Sequence, residues 1–240
     1  MSPYNWIPQK SFEETNWQTV HSVGQGGQQA DSARNELCRV YWYPLYAYVR
    51  KKGHPPEDAQ ELTQEFLSRL MQGVGFDGLD PAKGKFRAFL LAAMNNFLAN
   101  EWRKGQTQKR GGGTKTFSIN ADDAEAHFTK EPSHNESPAR FYDLQWARTL
   151  MDRALAKMQQ DYHDPFLFPV LKDIVEDNQN DESLAAIAQR VHMTPDAFRK
   201  ALERFRAEYQ ERLQAEVRLT VSIANQVDEE TQFIRKVLRG

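Results

Sequence analysis

Apolar residues recur every three or four positions along most of this chain, with charged residues between them. That spacing places the apolar side chains on one side of an α-helix, whereas a strand needs them at alternate positions. Alternation of β-branched residues is almost absent outside Leu219–Ile223. The pattern therefore predicts an all-α fold.

The chain has 240 residues, which is enough for two small helical domains joined by a flexible linker. Glycine, proline and polar clusters mark the breaks between periodic segments. They predict an N-terminal arm over residues 1–30, a first domain over 31–105, a linker over 106–140, a second domain over 141–215 and a C-terminal tail over 216–240. Two roles remain possible interpretations of the tail: it packs back on the protein, or it binds a partner.

The formal net charge is only −2, so no global basic field draws this chain to DNA or to an acidic membrane. Any contact with nucleic acid must therefore be local. The single cysteine, Cys38, excludes an internal disulfide and a cysteine zinc cluster, and it fits a reducing cytoplasm. Because we find neither a secretory signal nor an apolar run of membrane-spanning length, we expect a cytoplasmic protein without a membrane partner.

The sequence offers no argument for an enzyme. The glycine run Gly111–Lys115 lacks the spacing of a phosphate-binding loop, and Gly24–Gly27 follows no predicted strand. No histidine pairs with glutamate in a zinc-binding helix pattern. We therefore expect no catalytic residue, no metal and no cofactor.

An acidic helix is predicted from Pro55 or Pro56 onward. Glu57, Glu61 and Glu65 lie four residues apart, and like charges at that spacing destabilise an isolated helix by about 0.2–0.5 kcal/mol per pair. The presence of this unfavourable charge pattern favours a role in which the face binds a cationic partner. The alternative is an ordinary solvated helix face.

The helix predicted around residues 86–104 ends in amides, an indole and cations. These residues are Asn95, Asn96, Asn100, Trp102, Arg103 and Lys104. Asparagine is a poor helix former, so the presence of three asparagines in this helix suggests a functional role for their side chains. Amides read adenine edges, while the indole supplies stacking and the cations supply phosphate contacts. The alternative is that the amides form hydrogen bonds inside the core and that Trp102 packs on a neighbouring helix.

A two-helix unit is predicted from Ser183 to Arg190 and from Pro195 to about Leu213. The tight connection between them is typical of a helix-turn-helix. Arg199, Lys200 and Arg204 face outward and are available to phosphates or guanines. A helical hairpin without DNA function is the alternative, because acidic residues share the outward face.

Together these residues resemble a bacterial RNA polymerase sigma factor of the extracytoplasmic-function type, over roughly 33–104 and again over 183–209. Several strings are similar to a divergent group of these sigma-70-like factors: Tyr41–Arg50, Asp58–Phe66, Lys85–Trp102, Lys109–Gly113 and Trp146–Leu155. The resemblance implies a region-two-like bundle and a region-four-like helix-turn-helix. It also implies a transcription initiation factor whose partners are core RNA polymerase and promoter DNA, with an anti-sigma protein as a possible further partner.

In that family the acidic helix of region two clamps a coiled coil of the largest polymerase subunit. The resemblance implies this role for Asp58, Glu61, Gln64, Glu65 and Phe66. The helix that reads and melts the minus-ten promoter element corresponds to Arg87, Phe89, Asn96, Asn100 and Arg103. The loop before that helix captures an unstacked base, which implies this role for Gly73–Gly84. Because the polymerase supplies catalysis, the resemblance implies no active site here.

The second domain resembles region four, which reads the minus-thirty-five element, but it departs from the usual pattern of that region. His192 stands where these hairpins usually have glycine, so a strained turn is expected, and Phe198 replaces the usual valine. Two other functions stay open for the whole chain. One is a DNA-binding regulator that uses the helix-turn-helix alone, and the other is a sigma-like adaptor without promoter recognition.

Overall fold

The structure is a computed structural model that describes residues 28–72, 85–105, 121–130, 136–176, 183–221 and 226–239. The predicted arm up to residue 27 and the loop Gly73–Gly84 lie outside the described residues. The described residues form nine helices and no strand, so the all-α prediction is confirmed. The helices are α1 (Gln28–Lys51), α2 (Pro56–Met71), α3 (Phe86–Gly105), α4 (Ala121–Lys130), α5 (Pro138–Asp161), α6 (Leu167–Glu176), α7 (Leu184–Arg190), α8 (Pro195–Arg218) and α9 (Gln226–Arg239). Among these helices none is long and apolar enough to cross a membrane.

Helix α1 is the buried centre of the first half of the chain. It continues through Pro44, which removes one hydrogen bond of the helix, and Trp42, Leu45 and Val49 along it are fully buried. Cys38 lies in the same core, and burial raises the pKa of its thiol to about 12. Burial of large apolar side chains on this helix outweighs the hydrogen bond that proline removes.

Helix α2 is amphipathic and packs against α1 and α3. Its buried residues are Ala59, Thr63, Phe66, Leu67 and Leu70. The Thr63 hydroxyl donates to the carbonyl oxygen of Ala59 at 2.7 Å, which satisfies that polar group inside the core. Pro56 occupies the first turn, where its missing N–H costs nothing. The predicted start of this helix therefore agrees with the structure.

Helix α4 lies within the segment that the sequence predicts as a linker. Its Glu125 carboxylate accepts hydrogen bonds from Arg50 at 2.7 and 2.8 Å and from the Tyr46 hydroxyl at 2.5 Å. Hydrogen bonding to Arg50 lowers the pKa of Glu125. Ala124 is buried and Phe128 packs edge-on against Phe141. Residues 121–130 therefore form a packed helix within the segment predicted as a flexible linker.

The chain divides into two compact units, and their boundaries differ from the predicted domain limits. One unit comprises residues 1–149 and 218–240, and the other comprises 150–217. The first boundary falls inside α5 and the second at the last residue of α8. The first unit includes α9, so the tail packs back on the chain. The domain limits predicted from the sequence stay a prediction.

The second unit has its own core, drawn from α5, α6, α7 and α8. The central members are Leu155, Met158, Phe168, Leu171, Ile187, Phe198, Leu202 and Phe205. Ser183 caps α7 through Ala186 N at 3.2 Å, and Thr194 caps α8 through Ala197 N at 3.3 Å. Between these helices His192 has φ 57°, a left-handed conformation that favours glycine, as its position in the turn predicts.

Candidate protein and nucleic-acid interface on helices α2 and α3

The acidic face of α2, which we define as Glu57, Asp58, Glu61, Gln64 and Glu65, points away from the core of its unit. The first three of these side chains are exposed, and the other two are partly exposed. Burial of the opposite stripe of α2 dictates this orientation. The face is therefore available to a cationic surface.

Phe66 lies behind the acidic face rather than on it. It is only 5% exposed, and its ring packs against Phe97 of α3 with 5.7 Å between the ring centroids. A side chain buried in this way orients α2 but offers no surface to a partner. The expectation that Phe66 contacts a partner directly does not fit its position.

Arg69, near the end of α2, joins that helix to α3. It forms an ion pair with Glu65 on its own helix, and its Nη1 lies 3.1 Å from Oε1 of Glu101 on α3. The guanidinium also lies over the Phe97 ring, 5.0 Å from its centroid. The C-terminal ends of α2 and α3 are therefore held side by side. Part of the negative charge of Glu65 is already paired with Arg69.

The exposed end of α3, which we define as Asn96, Asn100, Trp102 and Arg103, begins beside this junction. All four side chains are exposed, and Trp102 retains 67% of its accessible surface. Arg103 donates to Oδ1 of Asn100 at 3.2 Å, so an amide and a cation form one polar group. The side chain of Lys104 lies outside the described residues. An indole exposed to this degree beside amides and a cation suits base stacking.

Asn95 differs from the amides at the exposed end. Its Oδ1 accepts a hydrogen bond from the Tyr48 hydroxyl of α1 at 2.5 Å. The amide oxygen of this asparagine is therefore used within the fold, as the core interpretation predicts.

The start of α3 lies in a different environment. Nε of Arg87 donates to Glu230 Oε2 at 2.7 Å, and its Nη1 donates to Asp143 Oδ1 at 2.6 Å. The guanidinium carbon is 3.6 Å from the centroid of the Phe233 ring and 5.4 Å from that of Trp146. Arg87, expected to contact DNA, is thus bound by side chains of its own chain.

The pKa shifts of Arg87 and Asp143 are consistent with this internal binding of Arg87. Burial by itself lowers the pKa of Arg87, but the hydrogen bond to Glu230 and the negative charges of Glu230 and Asp143 together outweigh burial, and the net pKa is raised. Burial raises the pKa of Asp143, with the Arg87 charge opposing that rise. Phe89, the other expected DNA residue here, is partly buried, and its ring stacks on Phe86 with 6.2 Å between centroids.

Sequence reasoning missed the residues that bind Arg87. Glu230 and Phe233 belong to α9, for which the sequence suggested no chemistry, and Asp143 belongs to α5. An acid within an otherwise apolar stripe, Val227, Glu230 and Ile234, is the one local signal that could have indicated an internal ion pair.

The remaining expected DNA residues lie on α8 in the second unit. Arg199, Lys200 and Arg204 are exposed. Arg199 is paired with Asp196 at 2.9 Å, which uses part of its charge locally. The structure leaves all three cations at the surface of their unit.

Comparison with known protein families identifies the first part of the chain. Residues 41–108 match the model of the sigma-70 region 2 family. No curated protein and no solved structure matches the chain. The matched range contains the acidic face of α2 and both ends of α3, whereas α4 to α9 lie beyond it. Assignment to the extracytoplasmic-function subgroup stays a prediction. Residues 41–108 are therefore a sigma-70 region 2 domain, which supports a sigma factor of the sigma-70 family.

Proposed function

We propose that this protein is a transcription initiation factor that binds core RNA polymerase and directs it to promoter DNA, where it recognises and melts the minus-ten element. The acidic face of α2 binds the coiled coil of the largest polymerase subunit. The exposed end of α3 holds the separated DNA strand. The region-two domain supports a role in transcription initiation in general terms, and the finer roles are our proposal.

One observation carries the proposal. The exposed acidic face and the exposed end of α3 are joined through the Arg69–Glu101 ion pair at 3.1 Å and through the packing of Phe66 on Phe97. A protein that must hold polymerase and open DNA together needs two such surfaces on one rigid body. Rigid placement reduces the ordering cost when the second ligand binds.

The exposed end of α3 has the chemistry that strand separation requires. Removing a base from the duplex stack costs a few kcal/mol, which is offset when the base stacks elsewhere and the displaced backbone meets positive charge. Trp102 supplies an exposed aromatic surface, and Arg103 supplies charge beside it. Asn96 and Asn100 offer amides to base edges.

The second unit takes the complementary part in this proposal. Its exposed cations on α8, Arg199, Lys200 and Arg204, contact the minus-thirty-five element. The protein itself is not an enzyme and needs no cofactor, because the polymerase performs the chemistry. Its proposed partner places its action in the cytoplasm.

The first experiment measures binding of the full-length protein to purified core RNA polymerase. Glu61→Lys reverses an exposed charge at the centre of the acidic face, and we expect it to weaken binding about tenfold, which corresponds to about 1.4 kcal/mol. Glu211→Lys makes the same charge change at an exposed position of α8 and serves as the control. Equal polymerase binding by both variants would contradict the assignment of this face.

Run-off transcription with core polymerase on the neighbouring genomic DNA separates the proposal from its rivals. An initiation factor supports transcripts from a defined start. A sigma-like adaptor would bind polymerase without supporting initiation. A regulator that uses the helix-turn-helix alone would shift a duplex in a gel without polymerase and would not direct transcription.

A further inference from the structure

Helix α9 binds both cations at the start of α3. Nζ of Lys85 lies 2.6 Å from Glu230 Oε1 and 3.5 Å from Glu229 Oε2. The other carboxylate oxygen of Glu230 accepts from Nε of Arg87 at 2.7 Å. One carboxylate of the C-terminal helix therefore neutralises two cations of the region-two domain.

The contact is buried and fitted to a guanidinium. The side chain of Glu230 is 2% exposed and that of Arg87 is 11% exposed. The guanidinium lies over the Phe233 ring, as arginine does in a cation–π contact. Asp143 on α5 completes the binding of Arg87. Arg87 is therefore held on its edge by carboxylates and on its face by an aromatic ring.

The docked face of α9 depends on these cations. Val227, Thr231 and Ile234 are buried on the same face as Glu230, whereas Asp228 and Lys236 on the other side are exposed. An ionised carboxylate in such a position is strongly unfavourable without its partners. A ligand that takes Lys85 and Arg87 therefore removes the condition under which α9 docks.

A DNA phosphate is such a ligand, because arginine binds carboxylates and phosphates with the same planar fork of donors. We propose that α9 is an intramolecular competitor of promoter DNA, which occupies Lys85 and Arg87 in the free protein and leaves them when single-stranded DNA binds. The inference rests on the proposed function. Docking of α9 and DNA binding by these cations then weaken each other by the same factor.

The test compares two variants of the full-length protein in binding to a fluorescently labelled single-stranded oligonucleotide across a series of salt concentrations. Glu230→Gln keeps the shape of the side chain and removes the competing charge. Asp228→Asn makes the same change in net charge in the same turn of α9, at an exposed residue. We expect Glu230→Gln to raise affinity about fivefold or more. We also expect it to steepen the dependence of log affinity on log salt by about 0.7 for each additional phosphate that the released cations neutralise.

The double variant Arg87→Gln/Glu230→Gln locates the effect, because the increase in affinity must disappear when the released cation is also removed. Equal increases in Glu230→Gln and Asp228→Asn would overturn the proposal, as would an increase that persists without Arg87. If neither the unmodified protein nor Glu230→Gln binds the oligonucleotide, the proposal is also overturned.

A measurement on the unmodified protein guards against a variant that fails to fold. Amide hydrogen exchange in α9 is expected to accelerate when the oligonucleotide is added, because the helix leaves its site. Unchanged or slower exchange in α9 with bound oligonucleotide would overturn the inference. The proposed function fails separately, through loss of polymerase binding and run-off transcription by the unmodified protein.

Discussion

The two ends of α3 carry similar residues in different surroundings. Arg87 at the start of the helix is nearly buried between Glu230, Asp143 and the ring of Phe233. Arg103 at the other end is exposed, beside the exposed Trp102. Both arginines are expected to meet DNA on the basis of the family resemblance alone. Only the second is on the surface of this structure.

A family resemblance therefore predicts which residue stands at a position better than it predicts whether the side chain of that residue is exposed. The partners of Arg87 come from α5 and α9, which lie outside the matched range 41–108. Residues beyond the family domain have therefore changed what a residue within it can reach. Paired substitutions at the two ends of α3 test this contrast between a buried and an exposed arginine.

The largest effect is expected for Arg87→Ala, measured as the free energy of unfolding in urea. Removal of this cation leaves Glu230 buried with less compensation, and breaking a buried ion pair in this way costs about 3–5 kcal/mol. Arg103→Ala is the matched control at the exposed end, where surface substitutions usually stay within about 0.5 kcal/mol. Similar losses in both variants would contradict the contrast between the two ends.

A smaller effect is expected for Trp102→Ala, measured as the affinity of the protein for a single-stranded oligonucleotide. Loss of a stacking surface costs about 1–3 kcal/mol for each base. Phe166→Ala is the control, because Phe166 is 87% exposed but belongs to the second unit and not to the exposed end of α3. If the two variants lose affinity equally, Trp102 has no special role in holding a base.

The smallest effects are expected for the two asparagines Asn95 and Asn100 of the same helix. Asn95→Ala leaves the Tyr48 hydroxyl without its acceptor and should cost about 1 kcal/mol of unfolding free energy. Asn100→Ala should raise stability by a few tenths of a kcal/mol, roughly the difference in helix propensity, while weakening oligonucleotide binding. Thermal unfolding and fluorescence anisotropy of both variants check this. Reversed signs would show that the amides are misassigned.

Features that depend on neighbours in sequence could be predicted. The all-α class and the start of α2 follow from apolar spacing and from side chains a few residues away. The exposed position of Glu61 follows in the same way, because helical periodicity places it opposite the buried stripe. The strained turn at His192 was expected instead from the family resemblance, because this residue stands where such hairpins usually have glycine.

Features that depend on distant partners could not be predicted. Glu230 lies 143 residues from Arg87, and Glu125 lies 75 residues from Arg50. Helical periodicity states which side of a helix is apolar, but not which other helix covers it. The packing of α4 on α1 and of α9 on α3 was therefore beyond sequence reasoning.

The chain's own residue order set the helices, their apolar faces and the two sets of exposed polar side chains on α2 and α3, because each of these arises within a few helical turns. Tertiary packing alone decided which of the polar side chains remain available. The reason is that a cation such as Arg87 binds the nearest well-placed carboxylate, and that carboxylate is brought to it only when the last helix folds back.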